Sequence, residues 1–254
     1  MIGDADLRAF RAGYYGLFVS LLWREPLADL LAALDRGIAA RVAGAQGLNA
    51  DLATGWKEIA AFVADVPAAA RAEVVADEYV RLFLWPQGAA LHPYESYYLT
   101  GRVLDGPLAV LRADLASLGI DKDPAYAEPE DFLAFELDVM RRLLVRQEEA
   151  KNPDDQNAAL HGQAAFLKRH MLVWGPAAAA DLAAAGDAPF YRGVGRLLLG
   201  FLELEGEAFV AFSADPVATI DEARQRFAGS GQWKGPLFDL AAPPGVEPDE
   251  PGER

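Results

Sequence analysis

Apolar residues recur at three- and four-residue steps through almost the whole chain, and no comparable stretch alternates with period two. The first stripe is Leu7, Phe10, Tyr14, Leu17, Phe18 and Leu21, behind Asp4 or Asp6 as N-cap. A second helix opens with Pro26 in its first turn and carries Leu27, Leu30, Leu31, Leu34, Ile38 and Val42. A third follows Asn49 and Asp51, with Leu52, Trp56, Ile59, Phe62 and Val63 on one face. A fourth runs from about Ala68 to Leu84 and presents Val75, Tyr79, Leu82 and Phe83. Pro86, Gly88 and Pro93 then interrupt the periodicity.

Helical spacing resumes with Leu108, Val110, Leu111, Leu115 and Leu118 and stops at Gly119. Glu128-Pro129 reads as the first turn of a long helix bearing Phe132, Leu133, Leu137, Met140, Leu143 and Leu144. Further stripes follow Asn152-Pro153, Asp187-Pro189 and Asp215-Pro216, and Gly175-Pro176 reads as punctuation. The pattern predicts one all-α domain of about ten helices over residues 1–229. Residues 230–254 are rich in Gly, Pro and acids and read as a flexible tail, with Trp233, Leu237 and Phe238 docking locally.

Charge narrows the function classes. The 254 residues include 38 acids and 23 bases, a net charge of −15, so phosphate-neutralising contact with nucleic acid is a poor fit. A basic peptide or basic protein surface is the natural partner of such a chain. There is no cysteine, which removes disulfides, zinc–thiolate sites, iron–sulfur clusters and a thiol nucleophile. The acidic start, Met1-Ile-Gly-Asp4, lacks the cationic region of a signal peptide, and the longest apolar run, Gly13–Trp23, is too short for a bilayer span. These features predict a soluble, cytoplasmic protein that does not insert into membranes.

Catalytic signatures are missing. The sequence holds neither a phosphate loop nor a Gly-x-Ser-x-Gly elbow, and Gly193-x-Gly195 lacks a third glycine. His161 and His170 fall on opposite faces of one helix, so they do not share a metal, and no Glu stands three residues before a His. Asp131 and Asp138 lie two helical turns apart, about 10 Å, wide for a carboxylate pair acting on one bond. The expectation is a protein that is not an enzyme, with no catalytic and no metal-ligating residues.

Three segments stand apart: Asp77-Glu-Tyr-Val-Arg-Leu-Phe83, His92-Pro-Tyr-Glu-Ser-Tyr-Tyr-Leu99 and Glu128-Pro-Glu-Asp131. With the Phe135–Met140 run, the Gln163-x-x-Phe-Leu-x-x-His170 spacing, Trp174 and Pro189-Phe-Tyr191, they resemble the TorD/DmsD/NarJ family of molybdoenzyme maturation chaperones over roughly residues 7–212. The resemblance implies an all-helical chaperone that binds the N-terminal twin-arginine leader of a molybdopterin-dependent oxidoreductase. Such a chaperone holds the precursor for folding and cofactor insertion before export. An alternative within the same family is a NarJ-like adaptor that binds the N-terminus of a non-exported redox subunit. The implied partner is the catalytic subunit, as leader and apo body. No cofactor is permanently bound, and transient contact with molybdopterin cofactor or guanine nucleotide is implied. The chain itself reads as a monomer or, through long hinge loops such as Pro86–Pro93 and Lys151–Pro153, a helix-exchanged dimer.

The implied leader-binding residues are Tyr79, Leu82, Phe83, Pro93, Tyr94, Ser96, Glu128, Asp131, Phe132 and Glu136. Where the family commonly has His after the Asp, this chain has Phe132. A twin-arginine leader is cationic and then apolar, so its receptor needs carboxylates beside an apolar groove. Tyr94 and Asp131 are expected to flank that groove.

The residues also carry blander readings. Tyr79, Leu82 and Phe83 sit at core spacing, Tyr94 plugs a helix junction, and Asp131 caps its own helix. Glu136 falls in the middle of an apolar stripe. Its first reading is a structural pair with an internal Arg, its second a client arginine. His170 and Trp174 read as internal.

Overall fold

The structure is a computed structural model that describes residues 5–84, 89–210 and 216–228. Within them the chain is helical, joined by loops and a single two-residue bridge. The 230–254 tail, with Trp233, Leu237 and Phe238, lies outside the described residues, as do Asp4, Pro86, Gly88 and Asp215. No helix among the described residues is long and apolar enough to cross a membrane.

The helices are α1 (Ala5–Leu22), α2 (Ala28–Ala45), α3 (Ala50–Asp65), α4 (Arg71–Phe83), α5 (Glu95–Thr100) and α6 (Gly106–Ser117). They continue with α7 (Leu133–Glu149), α8 (Pro153–Phe166), a π-helical turn (Leu167–Met171), α9 (Leu172–Ala183), α10 (Pro189–Val210) and α11 (Ile220–Ala228). Local chemistry sets several boundaries. Asn49 accepts from the amides of Asp51 and Leu52 at 2.8 and 3.1 Å, Asp105 caps α6, and Asn152 with Pro153 starts α8. Thr219 and Glu222 exchange hydrogen bonds as a capping box for α11. Gly119 (φ 60°) ends α6 in the left-handed conformation, and the Ile120 amide reaches back to the Leu115 carbonyl.

Glycine lets α3, α9 and α10 touch backbone to backbone. A β-carbon on Gly55 would meet the Gly193 carbonyl oxygen and the Leu197 amide at 2.7 Å. One on Gly195 would sit 2.3 Å from the Ala183 amide nitrogen. The resulting layer buries Ile59, Ala179, Val194 and Leu197 completely.

The other half of the body, α1 against α7 and α7 against α8, is held by charge as well as packing. Arg11 on α1 is wholly buried and donates to Glu205 of α10 at 2.6 and 2.8 Å and to Gln163 of α8 at 2.8 Å. Tyr15 adds a third bond to Glu205 at 2.7 Å, and Gln163 passes the network to Gln147 of α7. Arg11 and Tyr15 are thus as deeply buried on α1 as Phe18 and Leu21, while Tyr14 and Leu17 of the expected stripe are half-buried. The core face of α1 is rotated by about one residue from the purely apolar reading, because a fully paired Arg is tolerated inside.

Three boundaries also differ from expectation. Pro26 precedes α2 instead of entering its first turn. Pro129 lies in a loop four residues before α7. Pro176 sits within α9, where packing on α10 keeps the helix going through a proline.

Candidate functional site

Two short segments, 93–95 and 131–133, are laced together beneath α7. The Glu95 amide donates to the Asp131 carbonyl and the Leu133 amide to the Pro93 carbonyl, both at 2.9 Å, forming the Tyr94–Phe132 bridge. Asp131 is wholly buried, and its Oδ2 accepts from the Ser96 amide at 3.0 Å. It therefore caps α5, correcting the expectation that it caps the helix that follows it in sequence. Phe132 occupies the N-cap position of α7 without a side-chain cap and packs its ring 5.3 Å from Tyr94. In place of a titratable imidazole the chain has a packed ring.

Glu136, one turn into α7, has no exposed surface, and its only hydrogen bond is the 3.1 Å one donated by the Trp174 indole. The internal arginine expected beside it is not there. Burial, reinforced by the charge of Glu95, drives this carboxyl far above the usual range. Burial also raises Asp131 and Glu95. Asp131 Oδ1, Glu136 Oε1 and Ser96 Oγ are buried without hydrogen-bond partners.

The cluster is closed from above by His170, which the π turn presents to α5 and α6. Its Nδ1 lies 3.0 Å from Glu95 and its Nε2 2.9 Å from Asp114, which also accepts from Arg169 at 2.6 Å. Burial alone would lower this imidazole. Hydrogen bonds to Asp114 and Glu95 outweigh it and hold the group up at about 9, so it is a buried cation at neutral pH. Asp114 is correspondingly lowered to about 2, first through its bond to His170.

The other expected residues divide between core and rim. Tyr79 and Leu82 are buried, Tyr79 donating to the Leu22 carbonyl at 3.3 Å, and Phe83 packs against Tyr79 and Tyr191. Glu78, in the same run, accepts from the Phe190 and Tyr191 amides and so caps α10. Pro93 and Ser96 are buried. Tyr94 is half-buried and donates to Glu128 at 2.7 Å. Burial, then the Glu128 charge, pushes the Tyr94 and Tyr126 hydroxyls well above their ordinary value.

The open concavity lies beside these residues, and none of the ten lines it. A groove of about 640 Å³ runs between the end of α1, the start of α2, the 121–130 loop and α7. Its floor is three nearly parallel rings. Trp23 stacks on Tyr126 at 4.0 Å and 25°, and Tyr126 stacks on Phe135 at 5.9 Å and 22°. Leu27, 63% exposed, and Leu30 extend the apolar wall. Glu25, Asp123 and Asp138 supply carboxylates, and Arg24, Arg141 and Arg142 supply cations. Asp138 is engaged by both Arg141 and Arg142 at 2.7 Å, whereas Glu25 and Arg24 form no hydrogen bond or ion pair among the described residues.

The groove therefore joins the expected cluster through Tyr126, which shares Glu128's field with Tyr94, and through Phe135, one turn from Phe132. The lining residues have a legible signal in hindsight. Trp23 is an aromatic at a helix end followed at once by Arg24-Glu25-Pro26, and Tyr126 is an aromatic in an acidic loop.

The family model described as nitrate reductase delta subunit matches residues 45–180. The chain belongs to this family, the TorD/DmsD/NarJ family. Among its relatives, a protein named Chaperone protein TorD from Aeromonas salmonicida is 35% identical over 135 residues, 53% of this chain and 60% of that one. Proteins of the same name from Photobacterium profundum and Vibrio cholerae are 32% and 30% identical over 139 and 135 residues, covering 54% and 53% of this chain and 63% and 61% of theirs. The chain spans about 60% of the length of the curated relatives it matches.

The family's matched stretch runs from late α2 to α9 and contains Tyr94, Tyr126, Glu128, Asp131 and Phe135. Trp23, Arg24 and Glu25, on the opposite wall of the groove, precede it. Among the described residues no group of three or more His, Cys, Asp or Glu could hold a metal ion.

Proposed function

We propose that this chain is a chaperone that receives the N-terminal leader of a molybdopterin-dependent oxidoreductase in the Trp23–Tyr126–Phe135 groove, before the precursor is folded, loaded with cofactor and exported. The observation that carries this reading is the groove itself: a three-ring apolar floor beside unpaired carboxylate, in a family whose relatives are named chaperones.

A cationic-then-apolar peptide matches it part by part. Its arginines meet Glu25 and Asp123, with Glu128 released to them if Tyr94 turns away. Its apolar residues cover Trp23, Tyr126, Leu27 and Leu30. Burying one Leu or Phe side chain there contributes about 1.5–3 kcal/mol, against about 0–1 kcal/mol for an exposed ion pair. Apolar contact therefore supplies most of the affinity, and the −15 charge speeds and orients encounter.

Isothermal titration with a synthetic peptide carrying adjacent arginines and a following apolar stretch tests the reading. The expected result is binding that weakens as salt rises and weakens only partly when the arginines become glutamines. No heat and no change in tryptophan fluorescence at any salt would overturn it.

A further inference from the structure

The chain carries its own peptide of the chemistry the groove selects. Residues 232–240 read Gln-Trp-Lys-Gly-Pro-Leu-Phe-Asp-Leu: an aromatic and a cation, then a Pro turn, then three large apolar residues. Beyond them lie Glu247, Asp249, Glu250 and Glu253.

We infer that this segment occupies the Trp23–Tyr126–Phe135 groove when no client is bound, as an intramolecular competitor of the client leader. Three observations carry the inference. The first is the groove's exposed apolar surface, with Leu27 63% exposed beside a ring stack. The second is charge. In a chain of net charge −15 the groove's rim is balanced, with Arg24, Arg141 and Arg142 against Glu25, Asp123 and Asp138, and Arg24 has no partner among the described residues. Lys234 suits Glu25 and Asp123, and the acids after Leu240 suit the arginines, so a segment of mixed charge fits this rim better than a purely acidic one.

The third is reach. Phe227, in the last turn of α11, lies against Gly106 at the start of α6, 3.3 Å from where a β-carbon would be. The far end of α6 leads directly into the 121–130 loop that forms one wall of the groove. The twelve residues of α6 span roughly 18 Å at 1.5 Å per residue. The nine Cα-to-Cα steps from Ala228 to Leu237 span up to about 30 Å when extended. That length exceeds the α6 span, which puts the loop wall of the groove within the range of Leu237 and Phe238.

Tethering gives such a segment a high effective concentration, so modest intrinsic affinity suffices to fill the groove. A client leader must then displace it, which selects leaders with stronger charge or longer apolar stretches. The competition rests on the groove being the client site; the docking does not.

The absence of cysteine permits a clean test on the full chain. A nitroxide attached through Gln232→Cys should broaden away the Trp23 indole signal while leaving Trp56, on α3, sharp. Adding the twin-arginine peptide should restore Trp23. Replacing Trp233, Leu237 and Phe238 by Ser should also restore it, and should tighten peptide binding about tenfold where the segment is docked nine-tenths of the time. A Trp23 signal that stays sharp beside the label overturns the docking, and leaves the client reading standing if the peptide itself shifts Trp23. A signal that is lost but not restored by the peptide keeps the docking and overturns both the competition and the client reading of the groove.

Discussion

The two halves of this molecule are built on different terms. In the α3–α9–α10 layer the helices meet at backbone distance through Gly55, Gly193 and Gly195 over a wholly apolar centre, and the charged pairs between α3 and α10, Arg192–Glu58 and Arg196–Asp51, are part-exposed. Around α5, α6 and α7 the chain instead buries Glu95, Asp131, Glu136 and His170 together, leaves three polar atoms without partners, and opens a groove alongside. The first arrangement maximises burial per residue. The second holds short, otherwise unstable pieces, a six-residue helix and a two-residue bridge, in place by charge, and so keeps an aromatic floor exposed where collapse would cover it.

Removing the buried cation is the harshest way to break that contrast. His170→Leu should cost about 3–5 kcal/mol, because Glu95 and Asp114 lose their shared partner inside the protein. Urea denaturation measures it. A loss no larger than that of an exposed substitution would show the charged half to be held by packing alone. In the apolar half, Gly195→Ala should cost about 1–3 kcal/mol, since the new methyl would press on the Ala183 backbone. Peptide affinity of the folded fraction should not change.

A pH series sharpens the comparison further. His170 is raised in the folded state, so the stability it contributes is complete below about 6.5 and is lost as pH rises to about 9. Glu136 and Asp131, also raised, act in the same direction, since ionising them inside the protein is costly. The melting temperature should therefore fall from pH 6.5 to 9, and His170→Gln should flatten the fall. The smallest expected effect is Glu136→Gln, within about 1 kcal/mol of wild type at pH 7, because burial favours the neutral carboxyl and the amide has the same shape. Thermal melts of the two proteins check it, and a large loss would mean that Glu136 is ionised.

Legibility in the sequence follows the same division. Helical class, caps such as Asn49 and Asn152, and the break after Gly119 are local effects, written in spacing and in side chains that bond their own backbone. Arg11 and Glu205 are 194 residues apart, and their pairing is invisible to periodicity; it rotated the inward face of α1. Asp131 looked like a cap for α7 and proved to be one for α5, which precedes it by 35 residues at Ser96. None of the motif residues lines the groove; the Tyr94–Phe132 bridge stands beside it. Its lining escaped notice because Trp23 and Tyr126 come from segments 103 residues apart that meet only in three dimensions.

The groove can be separated from mere exposed grease by one titration series. The twin-arginine peptide is measured against wild type, against the Trp23→Ala/Tyr126→Ala pair, and against Leu104→Ala, which alters another exposed apolar residue, 57% accessible, outside the groove. The expected outcome is at least about tenfold weaker binding for the pair, corresponding to loss of about 1.4 kcal/mol or more, with Leu104→Ala matching wild type. Equal affinity in all three proteins would contradict the account.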